Sequence, residues 1–208
     1  MSHEHFQGGR HLFPMQKSPS HKFYQSPEYP NIEISLVKWP LSVIRLKAPL
    51  NAEAELLDLS ANILEKWRNY SEGDIVSFTG FQAHNTVTPI LYIEDPAAKD
   101  RRFVIDIVLR NNRTSQEHPH GIFHPHEQWH HVKKENIGLI EVMGLAVLPG
   151  RLKAEIENGA LSREDIGGVF VNVLKDCGVF KNNEDGISRF DMFMSVLFRN
   201  YSVKTVFL

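Results

Sequence analysis

The sequence predicts an α+β fold: an antiparallel sheet with flanking helices and a helical C-terminal tail. Two patterns carry that expectation. Strand-like runs follow one another between residues 32 and 110 without a regular strand–helix alternation, and apolar residues recur at helical spacing at 56–67 and again beyond Pro149. With 208 residues, 42% of them hydrophobic and 23% charged, the chain can bury a sizeable core.

Residues 11–31 are rich in Pro, Ser, Gln and Tyr without periodicity, and read as an extended connector. Ile32–Trp39 and Leu41–Leu46 read as strands bent at Pro40. Asn51 is the expected N-cap of a helix reaching about Tyr70, with Leu56, Leu59, Ile63 and Trp67 as its buried stripe and Gly73 at its exit. Strands are expected at Ile75–Phe78, Thr86–Ile93 and Arg102–Arg110. The last is apolar almost throughout, as in a strand covered on both faces. Gly138–Met143 reads as a further strand. Ile166, Phe170, Val173, Leu174 and Cys177 mark one helix, and Phe190–Phe198 another.

Composition narrows the function. A net charge of -2 argues against general nucleic-acid binding. No apolar run approaches the roughly 20 residues needed to span a bilayer, and no signal-peptide pattern opens the chain, so a cytoplasmic protein off the membrane is expected. The lone Cys177 leaves no internal disulfide and no Cys-based zinc cluster.

Polar clusters point to chemistry. His3-Glu4-His5-Phe6-Gln7 places His3, His5 and Gln7 on one face if it forms a strand, so that one imidazole can attack phosphorus while the other and the amide hold the geometry. The competing reading is a His-rich start with no chemical role. Gly8 and Gly9 would let backbone amides approach a phosphate, and Arg10 offers a charged fork. His84 and Asn85 open an apolar strand and either close a turn or meet a ligand. Of 11 histidines, His118, His120, His124, His126, His130 and His131 are crowded into one loop. His124, His126 and His130 are candidate ligands for a divalent metal, zinc or iron, the alternative being a polar loop whose imidazoles bind backbone. Lys133 and Lys134 fit phosphate neutralisation or a solvated face, and Glu141 is a lone carboxylate in an apolar run, where burial demands partners such as sugar hydroxyls.

These residues carry a resemblance. Ser2-His-Glu-His-Phe-Gln-Gly-Gly-Arg-His-Leu-Phe-Pro-Met, Val37-Lys-Trp-Pro-Leu-Ser-Val-Ile-Arg-Leu, His84-Asn-Thr-Val-Thr-Pro-Ile, Val108-Leu-Arg-Asn-Asn and Phe123-His-Pro-His through His130-His-Val-Lys-Lys-Glu-Asn-Ile-Gly-Leu-Ile-Glu-Val-Met-Gly-Leu-Ala-Val-Leu-Pro are similar to the C-terminal portion of the second-type, bacterial UDP-glucose–hexose-1-phosphate uridylyltransferases, the galactose-1-phosphate uridylyltransferases. The likeness weakens after about Arg163.

The resemblance implies a histidine-triad-like fold made of two similar halves. It divides the chain into residues 1–31, a remnant of the first half with the nucleophile motif and connector; 32–160, the second half; and 161–208, a helical appendage. It implies exchange of UMP between UDP-glucose and galactose-1-phosphate in the Leloir pathway of galactose metabolism, through a uridylyl-histidine. By motif position His5 is the nucleophile, His3 its partner and Gln7 the phosphoryl donor. Arg10, His84, Asn85, Arg110, Lys133, Lys134 and Glu141 are the residues expected to contact substrate, and no organic cofactor is expected. Gln7 in the place of a third histidine suits a transferase over a hydrolase, because no proton-donating imidazole attends the leaving group. Family members are longer, so transfer by this chain alone is expected to be impaired, with the missing half supplied by another chain or by self-association. The alternative is a non-catalytic remnant that binds sugar phosphate or metal.

Overall fold

The computed structural model describes residues 6–198 and 200–206. Its centre is a six-stranded, wholly antiparallel sheet in the order β6-β7-β3-β2-β1-β8. The strands are β1 (Ser20–Gln25), β2 (Glu33–Val37), β3 (Val43–Pro49), β6 (Asn85–Glu94), β7 (Arg102–Asn111) and β8 (Ser202–Thr205); β4 (Phe78–Thr79) and β5 (Gln82–Ala83) form a separate small hairpin. The helices are α1 (Pro14–Lys17), α2 (Glu53–Asn69), α3 (Leu139–Val142), α4 (Leu152–Glu157), α5 (Arg163–Cys177) and α6 (Glu184–Leu197). This is the α+β antiparallel architecture that the sequence predicts. Among the described residues no helix is long and apolar enough to cross a membrane.

The sheet is buried on both faces, which explains the unbroken apolar runs. In β3, Ile44, Leu46 and Ala48 join the core beneath α2 and α6, while Val43 faces the opposite core. β7 divides in the same way, Ile105, Ile107 and Leu109 against Val108. α2 contributes Leu56, Leu59, Ile63 and Trp67 to the first core, and α6 adds Phe190, Phe193, Met194 and Leu197. The second core collects Met15, Val142, Met143 and the α5 residues Phe170, Val173, Leu174 and Cys177.

Several local expectations need correction. Residues 20–25 are not connector: β1 lies between β2 and β8, so the sheet includes residues on both sides of position 31. Periodicity hid this strand because its buried positions include Lys22, which pairs with Asp191, and Tyr24, whose hydroxyl donates to the same carboxylate at 2.8 Å. Asn51 does not cap α2; it lies in a 3₁₀ turn, Leu50–Ala52, and Ala52 is the N-cap without a side-chain bond. Glu53 and Glu55 at the N-terminal end, with Lys66 and Arg68 at the other, complement the helix dipole instead. Ile75 forms only an isolated bridge with Glu72. Gly138–Met143 is not a strand but holds the single helical turn α3, because the Glu141 carboxylate accepts the Gly138 N–H at 2.9 Å and closes the turn.

Candidate functional site

His3 and His5 lie outside the described residues. Phe6, Gln7, Gly8, Gly9 and Arg10 are exposed. A Cβ added at Gly8 or Gly9 would meet nothing within 4 Å, so packing inside this chain does not require glycine at either position.

Among the described residues the first helix, α1, starts at Phe13, whose N–H donates to Gln16 Oε1 at 2.8 Å. Met15 is fully buried, and its N–H donates to the Met143 carbonyl at 3.1 Å. Trp39 Nε1 donates to the Val142 carbonyl at 3.0 Å, so the same turn is held from β2's end as well. The segment after the His-x-His-x-Gln run is therefore docked on the turn that carries Glu141.

Glu141 is buried, and so is Lys133. Their side chains pair at 2.9 Å, and the second Glu141 oxygen accepts from Gly138 N–H. The expectation of partners for a lone buried carboxylate is met within the chain itself. Lys134, by contrast, is exposed.

His84 and Asn85 stand at the start of β6 and are both buried. His84 bonds Asn112 Oδ1 at 3.0 Å through Nδ1 and Thr79 Oγ1 at 2.9 Å through Nε2. The Asn85 amide donates to the Trp67 and Tyr70 carbonyls at 2.7 and 2.8 Å, which caps the end of α2, and its oxygen accepts from Asn111 Nδ2 at 2.6 Å. Arg110 is half-buried in β7 beside the Cys177 thiol, and burial pulls its guanidinium below the ordinary value. Burial likewise pushes the Cys177 thiol up to about 12, so it is an unreactive core residue at neutral pH.

The histidine loop sorts differently from the expected His124, His126 and His130 grouping. His124 Nδ1 and His130 Nε2 both bond the Pro125 carbonyl, at 3.0 and 2.9 Å, and His120 is the third ring near them, with centroids 5.8 and 6.0 Å away. His126 instead stacks on His118 at 4.6 Å and faces Asp176 at 3.5 Å. Burial lowers the His124 pKa and keeps that ring neutral. Among the described residues no set of three His, Cys, Asp or Glu side chains stands where it could hold a metal ion. The expected zinc or iron does not fit this donor set.

One feature was not anticipated from the sequence. Arg45 and Asp106 form a bidentate pair, Nε to Oδ1 at 2.7 Å and Nη2 to Oδ2 at 2.9 Å, with side chains only 5% and 0% exposed. The signal was present, since Asp106 is a lone carboxylate inside the most apolar strand, as Glu141 is in its own run.

Fold and motif define a class: an antiparallel α+β domain preceded by a His-x-His-x-Gln-Gly-Gly run. Residues 1–165 match the model for the galactose-1-phosphate uridyl transferase C-terminal domain, and the chain belongs to that family. It is 41% identical to a galactose-1-phosphate uridylyltransferase of Clostridium acetobutylicum, over 95% of this chain and 47% of the relative. The corresponding protein of Halalkalibacterium halodurans is 41% identical over 95% of this chain and 46% of the relative, and that of Bacillus subtilis 38% over 95% and 45%. The chain thus spans about half the length of the curated relatives it matches. No solved structure matches the chain.

Proposed function

We propose that the chain is part of a uridylyltransferase that exchanges UMP between UDP-glucose and galactose-1-phosphate. The observation that carries this reading is the family match over residues 1–165, which includes the whole His3-Glu-His-Phe-Gln-Gly-Gly run. A neutral His5 imidazole attacks the α-phosphorus of UDP-glucose; an N–P bond forms, the P–O bond to glucose-1-phosphate breaks, and that product leaves. A phosphate oxygen of galactose-1-phosphate then attacks the same phosphorus, the N–P bond breaks, and UDP-galactose departs. His3 supports His5, and Gln7 donates to the phosphoryl oxygens without supplying a proton to a leaving group.

Several observations support the wider site. The open space at Gly8 and Gly9 suits backbone amides closing on a phosphate, with Arg10 beside them. Arg110 carries a half-buried charge that pairs with no carboxylate among the described residues, which suits an anion. Lys133 and Glu141 are paired next to the docked segment, where a hexose phosphate would exchange for their mutual contact. Lys134 adds surface charge toward phosphate, and His84 and Asn85 shape the entry to β6. A complete site needs the other half that the matched relatives carry, joined to this chain or supplied by a second copy, and the reaction belongs to the cytoplasm.

The test is incubation with uridine-labelled UDP-glucose, followed by intact mass under non-acidic conditions, with His5→Ala in parallel. A UMP-sized adduct on the parent and none on the variant is expected. No adduct on folded protein, alone or mixed with a chain bearing the other half, would replace this reading with binding of sugar phosphate without transfer.

A further inference from the structure

Arg45 and Asp106 face each other across β3 and β7, deep in the sheet. Beyond the bidentate pair, Arg45 Nη1 donates to the Ser18 carbonyl at 2.8 Å and Nη2 to the Met15 carbonyl at 3.0 Å. Both carbonyls lie at the end of α1; the Met15 oxygen also accepts the capping Ser18 N–H at 3.1 Å, so Arg45 takes its second lone pair. One guanidinium thus joins two central strands to the segment that follows the His-x-His-x-Gln run. The Tyr92 hydroxyl braces the pair from β6, donating to Asp106 Oδ2 at 3.3 Å.

Stability alone does not call for this arrangement. A buried ion pair loses most of its Coulomb gain to desolvation, and well-packed apolar residues of similar volume are often equal or better. Apolar side chains cannot, however, hold two carbonyls in fixed directions while gripping a neighbouring strand. Other bonds fix the same segment from its far side: Met15 N–H to Met143 O, and Lys38 N–H to Pro19 O at 2.8 Å. The Arg45 fork completes the grip from the sheet.

We propose that Arg45 is a positioning residue: through the Met15 and Ser18 carbonyls it fixes where the histidine-bearing segment leaves the sheet, above the Glu141 turn. The proposal rests on the reading of His5 as nucleophile, yet its test separates the two. Arg45→Lys keeps a cation for Asp106 but cannot also reach both carbonyls. The double variant Arg45→Met/Asp106→Leu removes both charges together and guards against a misfolded single variant. Tyr92→Phe leaves the carbonyl contacts in place and serves as the control.

The first readout is amide exchange in the full chain without ligand. Arg45→Lys and the double variant should raise exchange at Phe13 and Met15–Ser18 at least about tenfold, with β6 and β7 unchanged in the double variant; Tyr92→Phe should leave those amides as in the parent. Unchanged exchange at Phe13 and Met15–Ser18 in both variants overturns the proposal. The second readout is the rate of adduct formation against UDP-glucose concentration. Loss of positioning lowers the maximal rate about 10- to 100-fold and leaves half-saturation where it was. A maximal rate equal to the parent's also overturns the proposal. If the parent forms no adduct, the nucleophile reading fails, and exchange alone decides whether Arg45 anchors the segment.

Discussion

The Met15 N–H donates to the Met143 carbonyl at 3.1 Å, and this bond joins the residues after the histidine run to the turn that carries Glu141. The contact depends on Gly144. Its φ is +97°, and an added Cβ would lie 2.8 Å from Trp39 Cη2 and 3.2 Å from Pro14 Cβ. Gly144→Ala should therefore cost about 1–3 kcal/mol through backbone strain and overpacking. Urea unfolding should show a lower midpoint at unchanged slope. Parent-like stability would mean that the turn gives way freely and does not hold α1.

Lys133 and Glu141 pair at 2.9 Å with side chains 8% and 5% exposed. Removing one partner strands the other charge in the interior. Lys133→Met should cost about 3–5 kcal/mol, whereas Lys133→Met/Glu141→Leu should cost less than the sum of the single changes. A double-mutant cycle should give a coupling of about 1–3 kcal/mol. Coupling near zero would show that the two groups do not depend on each other.

The parts of the fold that were legible in advance are those where burial follows a simple period. α2 and α5 could be read from Leu56, Leu59, Ile63, Trp67 and from Ile166, Phe170, Val173, Leu174, because one apolar stripe meets one core. β7 was legible because both its faces are covered. β1 was not, since polar Lys22 is buried there against Asp191, a partner 169 residues away that no local pattern reveals. α3 was lost for a similar reason: four residues are too few to show a period, and Glu141 reads as an intruder until its bond to Gly138 N–H is seen. At the candidate site, residue types stood out but groupings did not. The histidine loop was visible, yet only the turn geometry decides that His120, not His126, neighbours His124 and His130.

Asn85 and Arg110 should behave oppositely when truncated. Asn85 bonds two carbonyls at the end of α2 and one side-chain amide, so Asn85→Ala leaves buried groups unmatched and should cost about 1–3 kcal/mol without any ligand. Arg110→Met removes a desolvated charge that pairs with no carboxylate among the described residues, and should leave stability equal or higher. The substrate-contact proposal adds that Arg110→Met weakens binding of UDP-glucose, read by calorimetry. Unchanged binding with raised stability would reduce Arg110 to a core-facing charge beside Cys177.

Acid should destabilise the chain in two separate steps, and the first belongs to histidine. Burial is the largest cause lowering the pKa of both His21 and His124, with Lys38 and Lys22 adding to it at His21 and the neighbouring imidazoles at His124. The folded state therefore prefers both rings neutral. An unfolded histidine titrates near pH ~6.5, so between that value and the depressed folded values the unfolded chain binds more protons. Stability rises with pH across that interval; it is fully present above about pH 6.5 and is lost as pH falls from there toward the folded values. The second step lies lower, because Lys47 and Arg102 outweigh burial and hold Glu94 below the ordinary carboxylate value; its contribution is lost only as pH falls through that depressed value. Melting temperature followed from pH 8 to pH 3 should show both declines. His21→Leu/His124→Leu should flatten the upper one and leave the lower one in place. An upper decline that survives in the double variant would assign it to other groups and remove these two buried rings as its source.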